Sequence, residues 1–170
     1  MSIDLGSFGM TADGRCALTF ERKLAHSPAK VWRAVTEPAQ LRSWFVQIVD
    51  YDQLVIELRP GAALTFFLKP GYGDPLRGEV VRVEPPRLLE FTWADETLRF
   101  EIEPRESGCV LTFTNIFDDQ SAANALGAGW HAGLDLLSAY LDGESRSGLS
   151  VAELQAEYEK AFGVDSGQSR

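Results

Sequence analysis

Glu79 and Asn115 are the two side chains whose type and position could do acid–base or hydrogen-bonding work on an enclosed ligand. Glu79 shares strand alternation with Val81 and Val83, and a carboxyl on an apolar face has its pKa raised toward the range of a general acid or base. The alternative for Glu79 is a place at the rim, because it follows Gly78 and the Asp74-Pro75 turn and glutamates are mostly solvated. Asn115 alternates with Leu111 and Phe113, where its amide could hold a ligand or tie down backbone near the sheet edge. These two are the candidate catalytic groups.

Other reactive residue types lead to less. His131 and Asp135 stand four apart in a helical pattern, the spacing of a surface ion pair. A Ser-His-Asp system would also need a nucleophile, but Ser138 lies too far along that helix and no G-x-S-x-G turn occurs. His26, in a loop before Ser27, is expected to be exposed. Cys16 and Cys109 form no C-x-x-C pair, so neither a metal site nor an organic cofactor is expected. Gly127-Ala-Gly129 invites comparison with a phosphate loop, yet Gly133 comes one residue late for G-x-G-x-x-G. Asp118 and Asp119 ahead of it would also repel a phosphate.

Aromatic residues are the larger resource. Phe66, Phe91, Trp93, Phe100, Phe113 and Trp130 converge if strand alternation is regular. With Asn115, Gly133, Leu134 and Leu137 they form the candidate ligand-binding set. So many rings could line a pocket or pack it solid. The deciding segment is Leu126 to Leu141, where Leu126, Trp130, Leu134, Leu137 and Leu141 make one apolar helical stripe. Gly127, Gly129 and Gly133 interrupt it, each at a cost of about 1 kcal/mol relative to Ala. Missing side chains at that cost imply close packing or room beside a ligand.

The elements that must hold these residues follow from pattern. Residues 1–14 have no periodicity and are expected to be a flexible tail, with the domain at 15–143. Cys16, Leu18 and Phe20 alternate as a strand. Ser27-Pro28 caps a helix over Ala29 to Thr36, and a second short helix is expected over Ala39 to Phe45. From there to Asp118, turn residues separate alternating runs, the pattern of an antiparallel meander with one apolar face. Only the long helix is available to cover that face. Residues 144–149 read as a linker, 150–162 as a further helix opened by a Ser150/Glu153 capping box, and 163–170 as a tail. The stripe of that last helix (Val151, Leu154, Tyr158, Phe162) must fold back on the domain or form a homodimer contact.

Composition excludes several classes. With 170 residues and 45% hydrophobic content, one domain with a real core is expected. A net charge of -9 disfavours nucleic acid or an anionic membrane surface as partner. No apolar run reaches membrane-span length and the start lacks signal-peptide features, so a cytoplasmic location is the expectation.

Four segments carry a resemblance. The run from Phe20 through His26-Ser-Pro-Ala-Lys-Val-Trp32 and Thr36-Glu-Pro38 to Trp44-Phe45 resembles the opening motif of the START-related SRPBCC superfamily. Gly78 to Trp93, Leu111-Thr-Phe-Thr-Asn115 and Gly129-Trp-His-Ala-Gly-Leu-Asp-Leu-Leu137 are similar to the branch homologous to the heat-shock-protein-90 ATPase activator C-terminal domain. The resemblance implies an α+β helix-grip fold: a seven-stranded curved antiparallel sheet wrapped around a long C-terminal helix, with two short helices after the first strand. It also implies an apolar cavity between sheet and helix that binds an apolar or aromatic small molecule. The alternatives it brings are a polyketide cyclase or dehydratase, and a chaperone-interaction module. Such a fold makes the first and last strands antiparallel neighbours, which places Cys16 and Cys109 at opposite ends without a disulfide.

Overall fold

Alternation in the sequence becomes a sheet whose inner face is almost wholly apolar. The computed structural model describes residues 5–144 and 149–163. Its strands are β1 (Ser7–Met10), β2 (Cys16–Leu24), β3 (Ala63–Phe66), β4 (Leu76–Glu84), β5 (Leu88–Trp93), β6 (Glu96–Arg105) and β7 (Gly108–Phe117). They form one seven-stranded sheet in the order β1-β2-β7-β6-β5-β4-β3, and every paired neighbour is antiparallel. Leu18, Phe20, Leu64, Phe66, Leu98, Phe100, Leu111 and Phe113 all lie buried on the inner face. The helix-grip arrangement expected from the resemblance is the one observed. Cys16 pairs with Phe117 and Cys109 with Leu24, so the two thiols lie at opposite ends of the β2–β7 pair.

The helices follow their caps. In α1 (Pro28–Thr36) the Ser27 hydroxyl accepts from the Lys30 N–H at 3.1 Å, and Val31, Trp32 and Val35 are buried. The next helix, α2 (Pro38–Leu41), is shorter than the span to Phe45 expected from its apolar anchors. The chain continues in turns to Trp44, whose indole N–H donates to the Ala34 carbonyl at 2.9 Å. That bond fixes Trp44 against α1 without helical backbone. A short 3-10 turn (Gln120–Ala122) leads into α3 (Ala123–Leu141), which buries Trp130, Leu134, Leu137 and Leu141.

Two expectations are corrected. Ser7–Met10, assigned to a flexible tail, forms the edge strand β1 against Thr19–Cys16 of β2; a short strand with three exposed residues carries no apolar alternation to reveal it. The inner residue of β4 is Val80, not Val81. In the pairing with β5, Val80 faces Phe91 and Arg82 faces Glu90, so Val81 is an extra residue in a β-bulge. The bulge reverses alternation, leaving Val80 buried and Glu79 exposed.

The last helix, α4 (Val151–Phe162), opens with the expected capping box: the Glu153 N–H donates to Ser150 Oγ, and the Ser150 N–H donates to Glu153 Oε1. Its apolar side is used within the chain. Leu154 and Tyr158 are fully buried against α3, and Phe162 packs on Phe8 of β1 with ring centroids 5.8 Å apart. Of the stripe that could meet a second copy, Val151 remains exposed. Residues 1–4, 145–148 and 164–170, parts of the tails and linker read from sequence, lie outside the described residues.

Candidate functional site

Where α3 passes beside the turns that follow α2, the surface opens into a cleft of about 400 Å³, within the roughly 300–1,000 Å³ of small-molecule sites. Leu126, Gly129, Trp130, Gly133 and Leu136 of α3 form one side, and Trp44, Phe45, Val46 and Gln47 the other. The β5–β6 hairpin contributes Trp93 and Glu96, and Val151 stands at the start of α4. Glycine makes this room possible. A Cβ on Gly129 would meet nothing within 4 Å, and one on Gly133 would meet only the Trp44 carbonyl oxygen at 3.5 Å. Gly127 serves the helix's other side, where a Cβ would stand 3.0 Å from the Tyr158 ring.

Behind the cleft runs a short polar relay. The Trp130 indole N–H donates to Asn115 Oδ1 at 3.0 Å, and Asn115 Nδ2 donates to Glu96 Oε1 at 2.9 Å. An indole nitrogen can only donate, so the amide orientation of the fully buried Asn115 follows from Trp130. The amide then offers Glu96 an N–H. Strand register brings the three together: Leu98 pairs with Asn115, and Glu96, two residues earlier on the same face, is its diagonal neighbour.

Glu96 is the one charged side chain among the described lining residues. Burial pushes its carboxyl above the usual carboxylate range, against the opposing hydrogen bond from Asn115; Asp95 raises it further and Arg15 lowers it. Arg15 is already committed, with Nε on Asp118 Oδ1 and Nη2 on the Asp95 carbonyl oxygen, each at 2.7 Å.

The candidate residues separate into two groups. Trp93, Trp130 and Gly133 line the cleft, with Asn115 hydrogen-bonded directly behind Trp130. Phe66, Phe91, Phe100 and Phe113 instead fill the space between sheet and helix. Their centroids run in sequence at 6.0, 6.4 and 4.9 Å, and Phe113 meets Trp130 at 4.8 Å. Leu134 and Leu137 are core residues under α3, each 1% exposed. The opening therefore lies at the mouth of the sheet, in front of these rings. Glu79 is exposed on the outer face, its N–H donating to Thr92 Oγ1 at 2.8 Å.

His131 meets Asp135 as their spacing suggests, but in the interior and not at the surface, and His26 is not fully exposed. His131 is buried, with Nδ1 2.8 Å from the Tyr158 hydroxyl and Nε2 3.6 Å from Asp135. The hydroxyl accepts the Gly6 N–H at 2.8 Å, so this group fastens α4 and the N-terminal segment to α3. His26 lies half-buried between Asp142 and Lys30, at 2.7 and 3.2 Å, beside the C-terminus of α3. Among the described residues no group of three or more His, Cys, Asp or Glu could hold a metal ion, and no helix is long and apolar enough to cross a membrane.

Glu96, the residue sequence reasoning missed, carried a usable signal. It alternates with Leu98, Phe100 and Ile102, all buried, and Phe100 is already in the aromatic set expected to point inward. Gln47 and Val46, in turns without periodicity, carried none.

A curved sheet gripping a long helix with an aromatic cleft at its mouth defines a helix-grip protein. Residues 25–142 match the family described as Activator of Hsp90 ATPase homolog 1-like protein. The chain belongs to that family. Among solved structures it is similar to EF2215 from Enterococcus faecalis, a conserved protein of unknown function, at 18% identity over 93% of this chain and 90% of that one, with TM-score 0.75. It is also similar to CalU16 from Micromonospora echinospora at 20% identity over 96% of both chains, with TM-score 0.70. MLL2253 from Mesorhizobium loti gives 23% identity over 76% of this chain and 99% of that one, with TM-score 0.63. At these identities the likeness extends to the fold. No curated protein matches the chain in sequence.

Proposed function

We propose that the protein binds an apolar, aromatic small molecule in the cleft between α3 and the Trp44–Gln47 segment. The observation that carries this reading is a space of about 400 Å³ lined by Trp44, Phe45, Trp93 and Trp130 beside two helical glycines. Rings at such a surface offer large apolar area and stacking faces to a planar guest. The interior behind them is filled by rings, so the guest sits at the mouth of the fold.

The test is calorimetric titration of a neutral planar probe, naphthylmethanol, into the protein, with a thermal-unfolding series alongside. A ligand bound only by the native state raises the midpoint with concentration. Gly129→Leu, which adds a side chain where nothing lies within 4 Å, should remove the binding and keep the fold. Binding that survives this substitution would place the guest elsewhere.

A cyclase or dehydratase reading draws on Glu96, a carboxyl in an apolar cleft with its pKa raised by burial. It is the only titratable group among the described lining residues, so acid and base work would both fall to one carboxyl. Binding needs less of the site than catalysis does. A chaperone-contact role draws on family membership alone.

A further inference from the structure

We propose that the cleft is selective for charge: its ligand is an aromatic molecule bearing a protonated amine, and Glu96 is the counter-ion that selects it. This deepens the binding reading above and rests on it. Three observations converge. Glu96 is the sole charged group among the described lining residues, and no Lys, Arg or His lines the cleft with it. An anionic guest would find no partner there. Arg15, the guanidinium whose charge reaches Glu96, is held instead by Asp118 and the Asp95 carbonyl, and Glu96 makes no ion pair among the described residues. Its charge is thus left for a ligand to meet.

The relay supplies direction. Trp130 imposes the Asn115 amide orientation, and the amide N–H holds Glu96 Oε1. Oε1 accepts in that arrangement, and Oε2, which has no hydrogen bond among the described residues, is the oxygen a cation in the cleft would meet. A cation placed there would also lie among aromatic rings: Trp93 pairs with Glu96 across the hairpin turn, and Phe45 stands 5.7 Å from Trp93 and 5.6 Å from Trp130, centroid to centroid. Aromatic faces and a carboxylate together are the chemistry that recognises an organic ammonium ion. The net charge of -9 favours approach of a cation over an anion.

The test compares three probes of one shape at neutral pH by calorimetry: naphthylmethylamine, naphthylmethanol and naphthoate. The amine should bind about tenfold or more tightly than the alcohol, as expected for a charge-assisted bond in a partly desolvated site, and naphthoate most weakly. In Glu96→Gln the amine-to-alcohol ratio should fall to within about twofold; the glutamine oxygen still accepts from Asn115. Equal affinities for all three probes, a preference for naphthoate, or a ratio unchanged in Glu96→Gln would each overturn the charge selectivity while leaving the binding reading standing. Failure of all three to bind would overturn both.

Discussion

A Cβ on Gly127 would stand 3.0 Å from Cδ1 of Tyr158, a residue with no exposed surface and hydrogen bonds to Gly6 and His131. Two helices and the N-terminal segment are locked at that contact. The ring is fully buried and held by two hydrogen bonds, so it resists the shift of a few tenths of an ångström that a Cβ would demand, and the glycine suits the packing of α4 on α3.

Gly127→Ala should therefore destabilise the protein by about 1–2 kcal/mol, because overpacking outweighs the gain in helix propensity. Gly129→Ala, two residues along the same helix and facing open space, should stabilise by up to about 1 kcal/mol. Urea unfolding of both variants checks the contrast. Equal effects at the two sites would mean that α4 does not dock as described.

Tyr158→Phe keeps the ring and removes the hydroxyl that meets the Gly6 N–H and His131 Nδ1. The expected loss is about 1–3 kcal/mol, the cost of leaving buried polar groups without their partner. Amide exchange in β1 should accelerate more than exchange in β6, since the lost bond tethers the segment leading into β1. Uniform acceleration would contradict a local tether.

Asn115→Leu leaves the Trp130 indole N–H without its acceptor and Glu96 Oε1 without its donor. A destabilisation of about 1–3 kcal/mol is expected. A double-mutant cycle with Trp130→Phe should give a coupling of about 0.5 kcal/mol or more, as residues sharing one bond are not additive. Additivity would mean that the relay does not form.

Glu96 and Glu90 should titrate stability with opposite signs. Burial raises the Glu96 pKa above 4.5 in the fold, so its contribution is present below that unfolded value and lost as pH rises through the folded one. The unfolding midpoint of Glu96→Gln, relative to the unsubstituted chain, should thus climb as pH rises above 4.5 and level off once the folded carboxyl is ionised. On the outer face, burial of Glu90 is outweighed by hydrogen bonds from Arg82 Nη2 and Arg99 Nε, both at 2.9 Å, which hold its pKa below 4.5. Its contribution is present above that value and lost as pH falls. Glu90→Gln should cost stability at neutral pH and progressively less in acid, a trend read from thermal melts across the range.

The inner face of the sheet was legible because alternation is local: Leu98, Phe100 and Ile102 point where period two sends them. The same rule contained Glu96, two residues earlier, and would have named it. It failed at Glu79, because the extra residue Val81 is defined by pairing with β5 and leaves no mark in the strand's own residues. The aromatic set was read as one group, yet Phe66, Phe91, Phe100 and Phe113 became core while Trp93 and Trp130 reached the cleft. Which rings fill and which line depends on the helix they meet.

The sequence by itself determined the strands from β2 onward, the caps at Ser27 and Ser150, the long helix and the family, since each rests on neighbours within a few residues or on contiguous motifs. Tertiary structure alone decided what the three glycines are for. Gly127 faces Tyr158, thirty-one residues away in sequence, while Gly129 faces open space in the cleft. A missing side chain looks the same in a sequence whether a neighbouring helix or an empty volume replaces it; the difference exists only once α4 has docked on one side of α3 and not the other.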